Sequence, residues 1–261
     1  MISDEERRTV AQLLASAEQA AIPIDPISPG RPEMDVVDAY AVQLLNIEER
    51  LRAGATIRGH KVGLSSKAMQ RMMEVDEPDY GHLLSDMFVF ESTAIDTSVM
   101  CTPRVEVEVA FVLGKRLPAP GCNAADVLRC TEFVCPSLEI IDSRIRDWKI
   151  KLVDTIADNA SSARVVLGAS PTPIAGLDPR TIGAVLRKNG EVIGTGAAGA
   201  VLGNPVTAVA WLANKVHTFG VTLEAGHVIL PGSCTRAYDA APGDIFRADF
   251  HELGHVSVRF S

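Results

Sequence analysis

The stretch PRVEVEVAFV, residues 103–112, places two glutamates inside an otherwise apolar run. Its alternation of valine with polar residues is typical of a β-strand that buries one face. Because side chains two residues apart on a strand share a face, Glu106 and Glu108 lie side by side, opposite the valines. Taken alone, the pair fits two interpretations: the solvated face of a sheet, or two carboxylates presented for chemistry.

A second run, PSLEIID at residues 136–142, has one glutamate, Glu139, inside an apolar strand pattern. Burying a carboxylate there is costly unless its charge is compensated. Three carboxylates from two strands form a hard-oxygen site that suits Mg²⁺ or Mn²⁺ and leaves coordination positions for water and substrate. The two runs together therefore favour Glu106, Glu108 and Glu139 as ligands of a divalent metal ion.

The N-terminal part of the chain predicts helices instead. Ser3 followed by Glu6 is a capping box that begins a helix, and a proline-rich loop follows that helix. Asp35 then caps a second helix with apolar residues at helical spacing. We therefore expect a small helical N-terminal region over residues 1–55.

After residue 55 short strands dominate. Runs at 56–64, 104–113 and 133–142 are alternating or continuously apolar, and Asn189-Gly190 between two further runs is a strong hairpin signal. Strands and helices do not alternate as regular βαβ units, which argues against a Rossmann fold. The expected fold class is α+β with a curled mixed sheet, and residues 56–261 are the expected catalytic domain.

Composition limits the classes of protein and of partner. Hydrophobic residues make up 47% of the 261 residues and charged residues 22%, which excludes a disordered chain. The net charge of −8 argues against nucleic acid as a partner. No run approaches the ~20 apolar residues of a membrane-spanning helix, and the charged N-terminus lacks a signal-peptide core. We expect a cytoplasmic protein that binds neither nucleic acid nor membrane.

Two short motifs match well-known patterns in the wrong context. HELGH at residues 251–255 matches the zinc-binding pattern H-E-x-x-H, which needs a helix to bring both histidines to one metal. Its flanks alternate as strands, so a turn between two strands is expected there.

GTGAAG at residues 194–199 matches the dinucleotide pattern G-x-G-x-x-G, but a proline and a new helix cap follow too soon. A flexible or tightly turned loop without a nucleotide is expected.

Several longer segments carry a family resemblance. They are GHKVGLSS (59–66), DEPDYGHLL (76–84), PRVEVEV (103–109), LEIIDSRIRDWKIKLVDTIADNASS (138–162) and VLGNPVTAVAWLA (201–213). In this order they resemble the 2-hydroxypenta-2,4-dienoate hydratases, or 2-keto-4-pentenoate hydratases, of the fumarylacetoacetate hydrolase superfamily. The C-terminal PGSCTRAYDAAPGD (231–244) is most similar to actinobacterial members that act in steroid-ring degradation, the 2-hydroxyhexa-2,4-dienoate hydratases.

The resemblance implies a fumarylacetoacetate-hydrolase-like mixed β-roll and a set of site residues. Glu106, Glu108 and Glu139 match the metal ligands of the family, the same three residues that the strand patterns favour. Lys61 matches a lysine near the metal, Asp79 an acidic active-site residue and Ser161 a polar group of the substrate pocket. The alternative interpretations are a surface lysine for Lys61, a turn residue after Pro78 for Asp79, and a local hydrogen bond in a loop for Ser161.

The implied activity is a metal-dependent addition of water to a 2-hydroxydienoate in the meta-cleavage catabolism of aromatic or steroid rings. The product is a 4-hydroxy-2-oxo acid, and the family is homo-oligomeric. Two alternatives stay open: a 4-oxalocrotonate decarboxylase of the same superfamily, and a non-catalytic stabilising subunit of a decarboxylase or aldolase complex. Association with a downstream aldolase or decarboxylase is also possible. The basic residues Arg144, Arg146, Lys149 and Lys151 are expected at a charged rim or a subunit contact.

Overall fold

The computed structural model describes residues 1–72 and 74–261. The helices are α1 (Asp4–Ala20), α2 (Val36–Arg52), α3 (Lys67–Met72), α4 (Ala124–Cys130), α5 (Leu152–Ala157) and α6 (Pro205–His217). The strands are β1 (Ile57–Gly63), β2 (Asp79–Leu84), β3 (Phe88–Val89), β4 (Pro103–Leu113), β5 (Thr131–Asp142), β6 (Ser162–Leu167), β7 (Gly183–Lys188), β8 (Glu191–Ala197), β9 (Val228–Leu230), β10 (Tyr238–Asp239), β11 (Ile245–Phe250) and β12 (Gly254–Arg259). The predicted α+β class is confirmed. Within the described residues, no helix has both the length and the apolar character needed to span a bilayer.

The helix starts follow from the caps that the sequence predicts. The Ser3 hydroxyl accepts the Glu6 N–H, and the Glu6 carboxylate accepts the Ser3 N–H, which completes the capping box of α1. Asp35 accepts the Asp38 N–H at the start of α2 in the same way. These side chains satisfy backbone donors that have no partner inside the helix.

The larger sheet contains the two glutamate-bearing strands at its centre. Its order is β2-β1-β9-β4-β5-β6-β3, with β10 also paired to β4. β4 and β5 run antiparallel with Glu106 directly opposite Glu139, and β1 pairs with β2 at one end. This register brings carboxylates from distant parts of the chain to neighbouring positions on one sheet.

The smaller sheet has the order β12-β11-β7-β8 and carries both misleading motifs. The predicted Asn189-Gly190 hairpin joins β7 to β8, and the first three residues of HELGH, 251–253, form the predicted turn between β11 and β12. The expectation of a loop at GTGAAG was wrong, because its first four residues, 194–197, are the end of β8. Gly196 packs there against the Cys234 carbonyl oxygen, only 2.0 Å from where a β-carbon would lie.

One hydrophobic core joins the helices to the sheets. Val10 and Leu14 of α1 and Tyr40 of α2 belong to the same buried cluster as Val107 of β4. The division into a helical region 1–55 and a catalytic domain 56–261 stays a prediction. The continuous core indicates that α1 and α2 depend on the sheet for their stability, since most of the stability of a helix in a protein comes from packing of its apolar face.

The buried Gln43 connects α2 to the wall of the site. Its amide nitrogen donates to the carbonyl oxygens of Tyr80 (3.0 Å) and Ile156 (2.8 Å). Its amide oxygen lies 3.0 Å from Nδ1 of the buried His82, so His82 donates from that nitrogen. Burial lowers the pKa of His82 to about 4, which keeps the ring neutral.

We predict that Gln43→Met destabilises the protein strongly, because the two carbonyl oxygens lose their donor while they stay buried. The free energy of unfolding should fall by ~2 kcal/mol or more. Urea unfolding measures it, and Gln12→Met, at an exposed position of α1, is the matched control. A loss below ~0.5 kcal/mol would show that the amide does not hold α2 in place.

Candidate active site

Three glutamates of β4 and β5 form a compact carboxylate cluster. One oxygen from each of Glu106, Glu108 and Glu139 lies within 4.8 Å of the others. Glu108 and Glu139 are fully buried, and three of their four oxygens have no hydrogen-bond partner among the described residues. The fourth, Oε2 of Glu108, accepts the Gly232 N–H at 2.7 Å. Converging oxygen ligands without partners fit a hard divalent cation.

The electrostatics of the cluster require a positive charge. Burial raises the pKa of Glu106 to about 7, although Lys61 opposes the shift. Burial, followed by the charges of Glu139 and Glu106, raises the pKa of Glu108 well above its usual value. Without a metal ion, at least one of the three carboxyl groups therefore stays protonated near neutral pH. A divalent ion would compensate the negative charge of all three.

Lys61 is a buried cation beside the cluster and not a surface lysine. Its side chain is 4% exposed, its ammonium donates to the Ala160 carbonyl oxygen (3.0 Å), and it lies 3.5 Å from Oε2 of Glu139. Burial lowers the pKa of Lys61, but the charges of Glu139 and the other carboxylates outweigh burial and raise it overall. The side chain therefore stays an ammonium group.

Asp79 faces the same cavity from β2. It is buried, and both carboxylate oxygens are without a hydrogen-bond partner in the described part of the chain. Burial raises the pKa of Asp79 to about 6, against the opposing charge of Lys61. Gly63 lies opposite Asp79 in the β1–β2 pair, and a β-carbon there would lie 2.1 Å from Oδ1 of Asp79. The glycine of the HKVG segment therefore makes room for this carboxylate.

A left-handed turn brings Ser161 to the cavity. Asn159, Ala160 and Ser161 have φ values of 53°, 50° and 56°, which non-glycine residues rarely adopt. The Asn159 side chain fixes the turn by accepting the His82 N–H (2.7 Å) and donating to the His82 carbonyl oxygen (2.9 Å). Ser161 is buried with its hydroxyl free of partners among the described residues. Strain held in this way is typical of functional sites.

The expectation for Arg144 was wrong. Arg144 is buried and forms an ion pair with the buried Asp158, and it also donates to the carbonyl oxygens of Asp142 and Ser162. It therefore clamps the end of β5 to the segment that contains the left-handed turn. Arg146 and Lys149 are exposed, as a charged rim requires, and each pairs with a nearby aspartate.

A cavity of about 370 Å³ joins these groups. Lys61, Asp79, Glu106 and Ser161 line it, so the structure brings the residues predicted from the sequence together. Sequence reasoning missed further lining residues: Arg104, Trp148, Ile150, Thr155, Thr235 and Arg236. All six lie within segments that carry the family resemblance, which was the available signal for them.

The fold and the site together define the class of fumarylacetoacetate-hydrolase-like proteins. Residues 55–261 match the family described as Fumarylacetoacetate (FAA) hydrolase C-terminal, and the chain belongs to this family.

Similar proteins cover nearly the whole chain. It is 45% identical over 257 residues to the 2-oxo-hept-4-ene-1,7-dioate hydratase of Escherichia coli, with 96% of each chain covered. It is 41% identical over 255 residues to the 2-hydroxyhexa-2,4-dienoate hydratase of Comamonas testosteroni, with 97% of each covered. The structure of 4-oxalocrotonate decarboxylase from Pseudomonas putida G7, complexed with magnesium and adipate, is 37% identical, has a TM-score of 0.95 and covers 100% of this chain and 99% of its own.

We predict that Glu108→Gln separates ligand function from stability. Metal-free Glu108→Gln should melt no lower than metal-free wild type, because neutralising one carboxylate relieves repulsion, whereas activity at ordinary Mg²⁺ concentration should be lost. Since the folded-state pKa values are raised, the metal-free wild type binds extra protons and loses stability as the pH rises from about 4.5 to about 7. Metal-free Glu108→Gln should lose less stability than metal-free wild type over the same pH range.

Thermal melts at pH 5 and pH 7.5, with and without Mg²⁺, measure both effects. Glu132→Gln, at an exposed position of β5, is the matched control. If Glu108 instead holds a buried ion pair, the metal-free variant should lose ~3 kcal/mol or more and keep its activity.

Proposed function

We propose that this protein is a divalent-metal-dependent hydro-lyase that adds water to a 2-hydroxy-2,4-dienoate and yields a 4-hydroxy-2-oxo acid. The observation that carries the proposal is the buried cluster of three carboxylates, whose Glu106 lines the same cavity as Lys61 and Asp79. Similarity over nearly the full length to proteins named as hydratases of such acids supports it.

Glu106, Glu108 and Glu139 are the proposed ligands of Mg²⁺ or Mn²⁺. When bound, the ion supplies Lewis-acid polarisation of the substrate C2 oxygen and stabilises the enolate charge that develops there. A set of carboxylates alone favours these hard ions over zinc, which is commonly bound by nitrogen and sulfur.

Lys61 is proposed as a fixed cation. Because its pKa is raised, its ammonium group keeps its proton and donates a hydrogen bond to the substrate oxygen that gains charge. The Ala160 carbonyl and Glu139 hold that ammonium in place before substrate binds. Ser161, with a free hydroxyl at the same cavity, is proposed to contact the substrate.

Asp79 is proposed to move protons. With a pKa of about 6 it can give and take a proton close to neutral pH, where a general acid–base group is most effective. Ketonisation removes the proton of the C2 hydroxyl group, adds a proton at C5 and leaves a 2-oxo-3-enoate. Water then adds at C4, and a carboxylate oxygen of Asp79 accepts the proton that this water loses. The enolate that this addition forms gains a proton at C3, which gives the 4-hydroxy-2-oxo acid.

The alternative activity is 4-oxalocrotonate decarboxylation. The observation that favours it is the similarity to the decarboxylase structure with bound magnesium, at a TM-score of 0.95. The charged groups of the cavity suit either reaction, since both develop an enolate on the C2 oxygen. Product identification separates them. A non-catalytic stabilising subunit is disfavoured, because a scaffold has no need to keep three clustered carboxylates of which two are fully buried.

We also propose a homo-oligomer, a cytoplasmic location, a role in the catabolism of aromatic or steroid rings, and association with a downstream aldolase or decarboxylase.

An ultraviolet assay tests the proposed function. Loss of the conjugated dienol is followed with 2-hydroxypentadienoate, 2-hydroxyhexadienoate and oxalocrotonate, and the products are identified by mass spectrometry. Release of CO₂ without hydration would favour the decarboxylase, and no consumption of any dienoate by the purified protein would favour the stabilising subunit.

We predict that removal of metal abolishes the hydration. A chelator should remove activity, Mg²⁺ or Mn²⁺ should restore it, and Zn²⁺ should restore it poorly, because the ligands are all carboxylates. Full turnover by protein shown to be metal-free by mass spectrometry would contradict the proposed site.

We predict that Lys61→Met lowers kcat by ~10²-fold or more and changes metal affinity little, because the ammonium stabilises charge but is not a ligand. Steady-state kinetics and Mg²⁺ titration measure the two effects. Lys115→Met, at an exposed position, is the matched control. A kcat within about threefold of wild type would remove Lys61 from the mechanism.

A further inference from the structure

The charged side chains that line the cavity fall into two groups. Lys61, Asp79 and Glu106 are buried or half-buried and belong to the site of the reaction. Arg104 and Arg236 are the other charged residues of the lining within the described part of the chain. Arg236 is exposed, whereas Glu108 and Glu139 are fully buried, so Arg236 lies at the mouth and the carboxylate cluster at the floor.

The two arginines differ in what already binds them. The Arg104 guanidinium pairs with Asp239 at 2.7 Å and stacks on the Trp148 ring at 4.4 Å. Arg236 stacks on the Tyr238 ring at 4.5 Å but forms no salt bridge with any carboxylate of the described residues. Arg236 therefore offers the cavity a guanidinium whose hydrogen-bond donors are available for an anion.

The segment that carries Arg236 is held rigidly against the metal-ligand strand. Gly232 N–H donates to Glu108 at 2.7 Å, and Cys234 N–H donates to the Val107 carbonyl oxygen at 2.8 Å. On the other side of Arg236, Tyr238 pairs with Val105 of β4. Anchors on both sides limit the positions that the guanidinium can reach, which reduces the entropy lost when it binds a ligand.

We propose that Arg236 binds a second carboxylate at the far end of the substrate, so that the substrate class is the 2-hydroxy-2,4-dienedioates. This inference rests on the proposed function, in which the ion at the carboxylate cluster would polarise the C2 oxygen, so that the C1–C2 end of the substrate faces the floor. The far end of a bound dienoate then points to the mouth. A guanidinium matches a carboxylate with two parallel hydrogen bonds, whereas a methyl group gives it no partner.

This substrate class differs from the expectation that the C-terminal segment raised. The resemblance of residues 231–244 to the hexadienoate hydratases implies a methyl-ended substrate, yet the same segment contains Arg236. The E. coli relative is named for a dioate, which agrees with a second carboxylate.

The test compares two substrates that differ only at the far end. These are 2-hydroxyhepta-2,4-diene-1,7-dioate and its methyl-ended counterpart 2-hydroxyhexa-2,4-dienoate. Wild type should prefer the dioate. Arg236→Met should lower kcat/KM for the dioate by about 10- to 100-fold, mainly through KM, and change it less than about threefold for the methyl-ended acid. Arg236→Lys should give an intermediate loss for the dioate.

Binding of unreactive acids gives a second readout that does not depend on turnover. Calorimetry on the Mg²⁺-loaded protein compares 2-oxoheptanedioate with 2-oxoheptanoate. The dioate should bind at least about tenfold more tightly to wild type, and Arg236→Met should remove most of this ratio. Arg8→Met, at an exposed position of α1, is the matched control and should leave the ratio unchanged.

The outcomes separate this inference from the proposed function. An equal loss for both substrates in Arg236→Met would show that Arg236 acts on the end common to both and would overturn the inference. Equal use of both substrates by wild type would overturn it as well, with the hydratase intact. If no dienoate is hydrated, the proposed function fails, and a dioate preference in the calorimetry would still place a carboxylate at Arg236.

Discussion

The mutual repulsion of three clustered carboxylates, two of them fully buried, is the constraint on which the rest of the site depends. Unit charges within 4.8 Å repel by at least about 3 kcal/mol at an effective dielectric constant of about 20. A protein is stable by only ~5–15 kcal/mol, so this repulsion needs compensation close at hand. Lys61 supplies one positive charge, the Gly232 N–H supplies a donor to Glu108, and a divalent cation would supply the remainder.

The surrounding architecture serves to hold these groups at fixed distances. The rigid β4–β5 pair sets the carboxylates, and the β1–β2 pair sets Lys61 and Asp79. The strained turn at 159–161 brings a carbonyl oxygen to Lys61, and the pairing of Arg144 with Asp158 holds that turn. The left-handed backbone of residues 159–161 is unfavourable. The hydrogen bonds between Asn159 and His82 and the ion pair of Arg144 with Asp158 offset this cost.

The sequence predicts some of this site and not the rest, for geometric reasons. Alternation alone places Glu106 and Glu108 on one face, and Glu139 follows from a charge inside an apolar run. Lys61 and Asp79 meet through strand register, which a single sequence does not reveal, so the family resemblance was needed to associate them. The left-handed turn contains no glycine to mark it, and Arg144 has the pattern of a surface residue because its buried partner lies in a later loop.

The segment from Gly232 to Tyr238 links the chemistry to the choice of substrate. One end contacts Glu108, a proposed metal ligand, and Arg236, four residues later, lines the cavity at its mouth. A residue at the mouth can change without disturbing the carboxylate cluster, because the anchoring contact at residue 232 is made by the backbone. The type of reaction is determined by the carboxylate cluster at the floor of the cavity. The far end of the substrate is selected at the mouth, where water screens the charges and a single substitution costs little stability.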